Sequence, residues 1–266
     1  MPSKVALLGA TGQAGQEVLK QLLDKDIDIN IYVRSKSKLF NLFPDLDSNP
    51  RVHVYEGDIS NTTLIKQLLT NIDTIIFTLG WNDNRPGPTI IEDGARAVTT
   101  ALRDIHNNTQ EHKKQPRLIF LSSASWNKKL NGDTPPLQTR MIRLAFHHPY
   151  QDLLAGQKIL LADPSLLTVT LIQPGALIEE QASGYDIGID TVGVGCSYPD
   201  LGAAMVEVAL DERYKSVAAV MVTSKAGYEF GRYAGVVLPK VVMGLAASLV
   251  PGFWTVYDLL ARLWSR

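Results

Sequence analysis

Cysteine and an excess of charge of either sign are the two things this sequence lacks. The 266 residues include one cysteine, Cys196, and 26 basic residues against 27 acidic ones. A lone cysteine excludes an internal disulfide and fits a reducing compartment, so we expect a cytoplasmic protein. A net charge of −1 argues against a nucleic-acid partner. A strand pattern is already present by residue 5, which leads us to expect no signal peptide.

Long hydrophobic runs are scarce as well. The segment 241–257 has 17 residues without a charge, whereas a helix that spans a membrane needs about 20. Pro251 and Gly252 interrupt this segment, and proline does not continue a helix. We therefore expect no transmembrane span.

The same tail is predicted to form two short helices, at 238–249 and 252–264. Three uses fit its apolar character: a lid over a pocket, a face for a homodimer, and contact with a membrane interface. Trp254, Trp264 and Arg262 favour the third use, because aromatic and basic side chains suit the headgroup region of a bilayer. The sequence leaves the three uses open.

The most informative motif is the run Gly9-Ala-Thr-Gly-Gln-Ala-Gly15, which lies between an apolar strand pattern and an amphipathic helix pattern. In a dinucleotide-binding unit, such glycines permit a sharp turn, close approach of the backbone to the pyrophosphate, and close packing of helix on strand. The free N–H groups of the first helical turn then face the phosphates. The predicted cofactor-binding residues of this motif are Gly9, Thr11, Gly12, Gln13 and Ala14. The competing interpretation is a glycine-rich turn without a ligand.

Arg34 determines which dinucleotide we expect. It follows the strand pattern Ile29–Val33, where NAD-binding proteins carry an acidic residue for the ribose 2′-hydroxyl. A guanidinium instead offers paired donors to a 2′-phosphate, and Lys38 adds positive charge nearby. The sequence therefore predicts NADPH as the cofactor, with a solvated basic loop as the alternative.

Strand and helix patterns alternate along most of the chain. Apolar runs such as Thr74–Leu79 and Arg117–Leu121 suit a parallel sheet that is buried on both faces. The predicted strands are 4–8, 28–33, 51–55, 73–79, 116–122, 167–173 and 217–223. The predicted helices before the tail are 13–23, 61–70, 88–104, 150–162 and 199–211. This order predicts an α/β fold with a doubly wound parallel sheet, a Rossmann fold, over 1–235 and a helical C-terminal extension over 236–266.

Small and polar residues follow the ends of several predicted strands. Ligands of doubly wound sheets bind outside the carboxyl ends of the strands, so these residues are candidates for the cofactor site. Asp58 can accept a hydrogen bond from the adenine amino group while Ile59 packs on the ring, and a simple turn aspartate is the alternative. Gly80 lets the chain pass close to the nicotinamide ribose. The remaining candidates are Leu79, Ser122, Ser123, Gln173, Pro174 and Gly175.

Several of these motifs together resemble a known family. They are Gly-Ala-Thr-Gly-Gln at 9–13, Val33-Arg34, Gly57-Asp58, Leu79-Gly80, Asp93-Gly-Ala-Arg96 and Ser122-Ser123-Ala124. From residue 4 to residue 223 the chain is similar to the atypical short-chain dehydrogenase/reductases of the NAD(P)H-binding type, as in flavin reductase/biliverdin reductase B. The resemblance implies a Rossmann fold and redox chemistry on NAD(P)H.

A second set of motifs resembles the averufin oxidase A family of fungal biosynthetic oxidoreductases. The set comprises His148-Pro-Tyr-Gln-Asp152, Lys158 with Ala162-Asp-Pro-Ser165, and Gln173-Pro-Gly-Ala-Leu-Ile-Glu179. This resemblance implies a role in secondary metabolism and a small, flat substrate, either an aromatic polyketide or a quinone-like compound.

The chain departs from the larger superfamily at the proton donor. Typical members use Tyr-x-x-x-Lys; Lys158 resembles the lysine, but Leu154 stands where the tyrosine is expected. Tyr150 lies one helical turn earlier, on roughly the same face. We therefore predict Tyr150, Lys158 and Ser123 as catalytic residues, with Lys158 also binding the nicotinamide ribose. Water or the histidine pair at 147–148 is the alternative donor, and that pair lacks the neighbours of a metal site.

The sequence thus favours an NADPH-dependent oxidoreductase that acts on a small molecule. Two alternatives stay open, and the missing tyrosine at position 154 favours the first of them. One is a regulatory protein that binds NADP(H) as a sensor and has no turnover. The other is an isomerase or cyclase that uses the fold without redox chemistry. Consumption of NADPH distinguishes the first function from both alternatives.

Overall fold

The fold is built on one central sheet with helices on both faces. The computed structural model describes residues 4–108, 115–127, 135–189, 195–226 and 230–264. The strands are β1 Lys4–Leu8, β2 Asp28–Val33, β3 Val52–Glu56, β4 Thr74–Phe77, β5 Arg117–Leu121, β6 Thr168–Ile172, β7 Ala176–Ile178, β8 Tyr185–Gly188, β9 Gly195–Ser197 and β10 Ala219–Ser224. Within the described residues, the central sheet has the order β3-β2-β1-β4-β5-β6-β10-β8.

Parallel strands make up all of this sheet except one edge. β8 pairs antiparallel with β10, while the other neighbours in the sheet pair parallel. β7 and β9 form a separate two-stranded parallel sheet. The prediction of a doubly wound Rossmann sheet is confirmed, and the antiparallel edge is an addition to it.

The helices connect the strands across both faces of the sheet. They are α1 Gln13–Leu23, α2 Lys36–Leu42, α3 Thr62–Leu69, α4 Ile90–Asn107, α5 Pro136–Ala145, α6 His147–Leu161, α7 Tyr198–Leu210, α8 Phe230–Leu249 and α9 Phe253–Trp264. Sequence patterns predicted α1 at its observed bounds and α6 three residues too late. They missed α2, α5 and the short strands β7 to β9, because three to ten residues without strong periodicity carry little signal.

Alternating side chains of β1 show how the core is divided. Val5 and Leu7 pack with α1 and α7 on one face of the sheet. Ala6 and Leu8 pack with α3, α4 and α6 on the other face. All four side chains are fully buried, as expected for a central strand of a parallel sheet. β1 also lies between β2 and β4, so the order of connection reverses there and leaves a crevice at its carboxyl end.

The C-terminal extension packs on α5 and on the loop that follows β4. α8 begins at Phe230, earlier than the predicted residue 238, and contains Pro239. The predicted boundary between 235 and 236 therefore lies inside α8. Among the described residues, no helix combines the length and apolar character needed to cross a bilayer.

Candidate cofactor and substrate site

The glycine turn at the end of β1 is built as its spacing predicts. Gly9 has φ +102°, a left-handed conformation that side chains rarely adopt. The N–H of Gly12 donates to the carbonyl of Gly9 at 3.0 Å, which closes the turn. Gly12 then precedes α1 as its N-cap in an extended conformation. The turn therefore directs the first N–H groups of α1 towards the crevice beside β1.

Gly12 and Gly15 lack side chains for different reasons. A Cβ added at Gly15 would lie 2.6 Å from the carbonyl carbon of Gly9, so α1 could not approach β1. A Cβ at Gly12 would meet, among the described atoms, only the carbonyl oxygen of Gly9, at an ordinary 3.4 Å. Packing of the protein therefore explains why position 15 requires glycine, but it does not explain the glycine at position 12. The open space at Gly12 fits a pyrophosphate against the helix N-terminus.

The side chains around this turn reach neighbouring segments. Thr11 accepts a hydrogen bond on its carbonyl from Gln16 Nε2 at 3.3 Å, and Ala14 is buried in the first turn of α1. Gln13 Nε2 donates to Glu179 Oε1 at 2.8 Å, across 166 positions in the chain. This exposed bond links the first turn of α1 to the segment that follows β7. The link fixes one side of the entrance to the crevice.

Arg34 lies exposed directly after β2. It forms no hydrogen bond or ion pair with another described residue, so its guanidinium is free for a ligand. Ser35 caps α2 by accepting from the N–H of Lys38 at 3.2 Å. This cap holds the exposed Lys38 one turn of helix away from Arg34.

Asp58 follows β3 next to Arg34. Its Oδ1 accepts from the N–H of Ser60 at 2.8 Å, which is the turn contact expected of the alternative interpretation. Hydrogen bonds from Ser60, with a smaller contribution from the charge of Arg34, lower the pKa of Asp58 below its usual value. The carboxylate therefore stays ionised at neutral pH and keeps an acceptor oxygen for a base. Ile59, half-buried beside it, packs on the core.

Gly80 and Leu79 form the rim of the crevice after β4. Leu79 is half-buried and packs on the core. Gly80 is exposed, and no described atom outside its immediate neighbours would lie within 4 Å of an added Cβ. Trp81 follows with 38% of its surface exposed. The rim is therefore open at the position predicted for the nicotinamide ribose.

Ser122 marks the floor of the crevice at the end of β5. It is 8% exposed, and its Oγ donates to Gln157 Oε1 on α6 at 2.9 Å. The neighbouring Lys158 is exposed and has no hydrogen bond or ion pair with a described residue. At Ser122 the contact with α6 is therefore made by Gln157, a residue that the sequence analysis did not single out.

Tyr150 reaches the same strand end from the start of α6. Its hydroxyl donates to Ser125 Oγ at 2.9 Å and accepts from Ser123 Oγ at 3.5 Å. The rings of Trp126 and Phe146 lie at centroid distances of 5.9 and 6.0 Å from the Tyr150 ring. The phenol is thus held in an aromatic surround with its hydroxyl among serines. The structure brings together Tyr150 and Ser123, two of the three predicted catalytic side chains.

The loop after β5 is held by hydrogen bonds to residues that follow β6. Gln173 is buried, and its Oε1 accepts from Asn127 Nδ2 at 2.7 Å. The carbonyl of Pro174 accepts from the N–H of Ala124 at 3.1 Å. Gly175 follows half-buried. Gln173 and Pro174 therefore hold the loop that carries Ser123 and Ser125 in place.

Asp152 has a structural role in a helix other than its own. Its two carboxylate oxygens accept from the N–H groups of Ile91 and Glu92 at 2.9 and 2.8 Å. Asp152 therefore caps α4 from α6, since the N-cap residue Thr89 makes no side-chain cap bond. Burial raises the pKa of Asp152, and the two N–H groups oppose that rise. The cap fixes the start of α6, and with it Tyr150.

The loop after Gly80 is clamped by the C-terminal helices. Asn84 is buried, and its Nδ2 donates to the carbonyl of Gly244 at 2.8 Å and to Ser248 Oγ at 2.7 Å. Its Oδ1 accepts from the N–H of His148 at 3.0 Å. The carbonyl of Asn84 accepts from Trp254 Nε1 at 2.9 Å. One asparagine therefore joins the loop to α6, α8 and α9.

Arg85 adds a second connection to the same helices. Its guanidinium donates two hydrogen bonds to Asp258, both at 2.9 Å, and stacks 4.2 Å above the Trp254 ring. On the other side of α8, a Cβ added at Gly244 would lie 2.9 Å from the carbonyl carbon of Ala145, so α8 lies against the end of α5. The tail is therefore held both by the loop that follows Gly80 and by the end of α5.

The histidine pair lies in the first turn of α6. The two rings contact each other edge to face at 5.0 Å, and burial, helped by His147, lowers the pKa of His148. His148 lines a cleft of about 280 Å³ together with Trp254 and the turn between α8 and α9. No cluster of three His, Cys, Asp or Glu side chains suited to a metal ion occurs in the described part of the chain.

Sheet order and the glycine turn at the switch point define the class of this protein, a dinucleotide-binding Rossmann protein. A profile of the NAD(P)H-binding family matches residues 9–212, and the chain belongs to that family. The predicted membership in the atypical short-chain dehydrogenase/reductases is confirmed, and with it a nicotinamide cofactor.

Curated relatives are fungal oxidoreductases of similar length. The oxidoreductase nsrR of Aspergillus novofumigatus is 33% identical over 86% of this chain and 89% of its own length. The oxidoreductase ordB of Dothistroma septosporum is 34% identical over 94% and 92% of the two chains. These relatives confirm the prediction of an NAD(P)-dependent oxidoreductase with a small-molecule substrate.

A solved structure shares the fold. A short-chain dehydrogenase/reductase of Veillonella parvula, determined in complex with NADP, superimposes with a TM-score of 0.63 at 19% identity. The match covers 86% of this chain and 98% of that one. The Rossmann architecture and its helical layers are therefore those of a known nucleotide-binding fold.

Proposed function

We propose that the protein is an NADPH-dependent reductase of a flat aromatic polyketide or quinone-like carbonyl compound in fungal secondary metabolism. The observation that carries the proposal is the position of Tyr150. Its hydroxyl lies in hydrogen-bond contact with Ser125 and Ser123 at the carboxyl end of β5. An acid group is thus present at the crevice although position 154 holds leucine.

The free guanidinium of Arg34 supports NADPH over NADH. It lies exposed after β2 without a partner among the described residues, and Lys38 is close in the chain. A 2′-phosphate accepts charge-assisted hydrogen bonds from such a group, whereas the 2′-hydroxyl of NADH offers no charge to it. Around the rest of the cofactor we assign Gly9, Thr11, Gly12, Gln13, Ala14, Asp58, Ile59, Leu79, Gly80, Ser122, Gln173, Pro174 and Gly175.

The reaction divides between the cofactor and the protein. A bound nicotinamide supplies the hydride that adds to the carbonyl carbon of the substrate. Tyr150 donates the proton that the carbonyl oxygen takes up, and Ser123 holds that oxygen by a hydrogen bond. The aromatic rings of Trp126 and Phe146 exclude water around the phenol.

The apolar helices α8 and α9 support the proposal that the substrate is flat. Asn84 and Arg85 attach the rim loop to α8 and α9, which close the crevice on the side away from the adenine. We assign the extension from residue 236 onwards to the substrate pocket rather than to a separate function. The outer stripe of α9, Val256, Leu259, Leu260 and Leu263, is more than half exposed. Contact of this stripe with a second copy or with a membrane interface stays a prediction, as does a cytoplasmic location.

The two alternative functions have less support. A sensor without turnover needs no acid at the crevice, yet Tyr150 is held there by two serines. An isomerase or cyclase has no use for the hydride of the cofactor, and the curated relatives carry the name oxidoreductase.

Replacement of Tyr150 by phenylalanine tests the proposal. With a panel of quinones and aromatic ketones, Tyr150→Phe should slow NADPH oxidation by about 10²- to 10⁴-fold. Binding of NADPH, measured by fluorescence titration, should not change. Tyr185→Phe is the matched control, because its hydroxyl bonds Glu207. Product formation without NADPH oxidation would instead support an isomerase or cyclase, and unchanged turnover of Tyr150→Phe would exclude this tyrosine as donor.

A further inference from the structure

We propose that Gln157 binds the nicotinamide-side ribose of the cofactor in the place where other members of the superfamily use a lysine. The inference rests on the proposed NADPH site and adds to it a specific residue. It replaces the sequence-based expectation for Lys158, which the structure leaves exposed on the neighbouring position of α6.

The contact of Gln157 with Ser122 places its carboxamide at the crevice. Ser122 is nearly buried at the end of β5, and its N–H donates to the carbonyl of Ile172 at 2.7 Å, so the serine is fixed by the sheet. The serine Oγ donates to Gln157 Oε1 at 2.9 Å. The carboxamide is therefore held at the carboxyl edge, where cofactors of this fold bind.

The other end of the same carboxamide is free. No described residue accepts a hydrogen bond from Gln157 Nε2. The side chain is half-buried, so leaving this donor without a partner is unfavourable unless water or a ligand accepts from it. Ribose hydroxyls are such acceptors, and the oriented amide offers two N–H groups to them.

The helical positions of the two α6 residues favour the same assignment. Gln157 follows Tyr150 by seven residues, which is close to two turns of an α-helix, so both side chains lie on one face. Both contact serines at the end of β5. Lys158 is rotated by about 100° from Gln157 on the helix. The face that carries the proposed proton donor therefore also carries the glutamine.

Three nucleotides locate the contact along the cofactor. NADPH contains both riboses, 2′-phospho-ADP-ribose keeps the second ribose without nicotinamide, and adenosine 2′,5′-bisphosphate lacks it. Gln157→Leu should weaken the first two by about 5- to 10-fold, the loss expected for one neutral hydrogen bond. Its affinity for adenosine 2′,5′-bisphosphate should not change. Gln157→Glu, which keeps the shape but loses the donor, should show the same pattern.

Gln151→Leu is the matched control, because it makes the same change at an exposed glutamine of α6. Equal weakening of all three nucleotides by Gln157→Leu and Gln157→Glu would indicate a general structural effect and overturn the inference. Loss of the second-ribose contact in Lys158→Ala, with Gln157→Leu at wild-type affinity, would return the role to the lysine. A wild-type protein that binds none of the three nucleotides would overturn the NADPH site as well, so the two failures are distinguishable.

Discussion

In the proposed site, the crevice has two halves that are built in different ways. The adenine half is the turn of Gly9 to Gly15 with Arg34 and Asp58, and the substrate half is the rim loop with Asn84 and Arg85, the start of α6, and the tail. In the adenine half, the turn of Gly9 to Gly15 is closed by contacts between residues a few positions apart. In the substrate half, Arg85 bonds Asp258, 173 positions later, and Asn84 bonds Gly244, 160 positions later. The turn of the first half is therefore closed locally, and its long-range contact is the exposed bond from Gln13 to Glu179. The second half exists only after distant segments have packed.

The two halves also differ in what their polar groups do. In the adenine half, Arg34 has no partner among the described residues, and the space at Gly12 is not filled by the protein. In the substrate half, buried Asn84 and Asp152 are fully engaged with backbone groups. Groups without a protein partner are those that a ligand satisfies, and engaged groups position others. Substitutions in the two halves should therefore separate binding from stability.

The largest effect is expected at Gly12, for binding alone. Gly12→Val should abolish binding of both NADPH and NADH, because its side chain occupies the space for the pyrophosphate. The melting temperature should stay close to that of the wild type, since a Cβ there meets an ordinary 3.4 Å contact. Gly15→Val is the contrasting variant, and it should lower the melting temperature. Calorimetric titration and thermal unfolding measure both, and a Gly12→Val protein that binds NADPH normally would show that the turn is not the phosphate site.

Asn84→Ala should have the opposite profile. It removes hydrogen bonds to α8, to Ser248 and to the start of α6 from a buried site, so we expect a loss of about 2–4 kcal/mol in the free energy of unfolding. Affinity for NADPH, measured on the folded variant, should change little. Asn108→Ala, at the exposed end of α4, is the matched control. Equal stability of Asn84→Ala and wild type in urea unfolding would contradict the clamp between the rim loop and the tail.

Arg34→Ala tests the adenine half with a smaller effect. Loss of a charge-assisted contact with the 2′-phosphate should cost about 1.5–3 kcal/mol, or about 10- to 150-fold in affinity for NADPH. Affinity for NADH should be nearly unchanged. Arg51→Ala is a suitable control, because this arginine pairs with Asp26. Equal losses for the two cofactors in fluorescence titrations would remove the 2′-phosphate assignment.

The difference between the halves also explains what the sequence allowed us to predict. The glycine spacing predicted the turn, and the apolar runs predicted the seven parallel strands, because both signals are local. The contact between Gln157 and Ser122 could not be predicted that way, since a glutamine in a helix has no chemical signature and its partner lies 35 positions earlier. Lys158, the next residue, was predicted to bind the nicotinamide ribose because of the family resemblance. The available signal was the spacing of Gln157 from Tyr150, which is close to two helical turns.

Long-range packing hid the remaining features of the substrate half. The cap that Asp152 provides to α4 joins residues about 60 positions apart. The tail was predicted as two helices, but nothing in an uncharged segment indicates that Asn84 and Arg85 hold it. Among the tail's predicted membrane-contact residues, Trp254 instead bonds the rim loop, and the side chain of Trp264 lies outside the described residues.

The smallest effect concerns acid stability in the substrate half. Burial, helped by neighbouring His147, lowers the pKa of His148 below its usual 6.5. Between these values the unfolded chain binds more protons than the folded one, so the free energy of unfolding falls as the pH falls through 6.5 towards the lowered pKa. His148→Gln should make this fall shallower, because the substituted side chain does not titrate. Urea unfolding at pH 7 and pH 5 measures the difference.

His53→Gln, at an exposed position on β3, is the control from the adenine half. It makes the same change of side chain away from α8 and α9, so a shallower fall in both variants would show that the effect is not specific to His148. The same slope in wild type and His148→Gln would mean that His148 titrates alike in both states, and its burial against α8 and α9 would then not hold in solution. A steeper slope in His148→Gln would reverse the sign of the argument and indicate that the folded tail favours the charged imidazole.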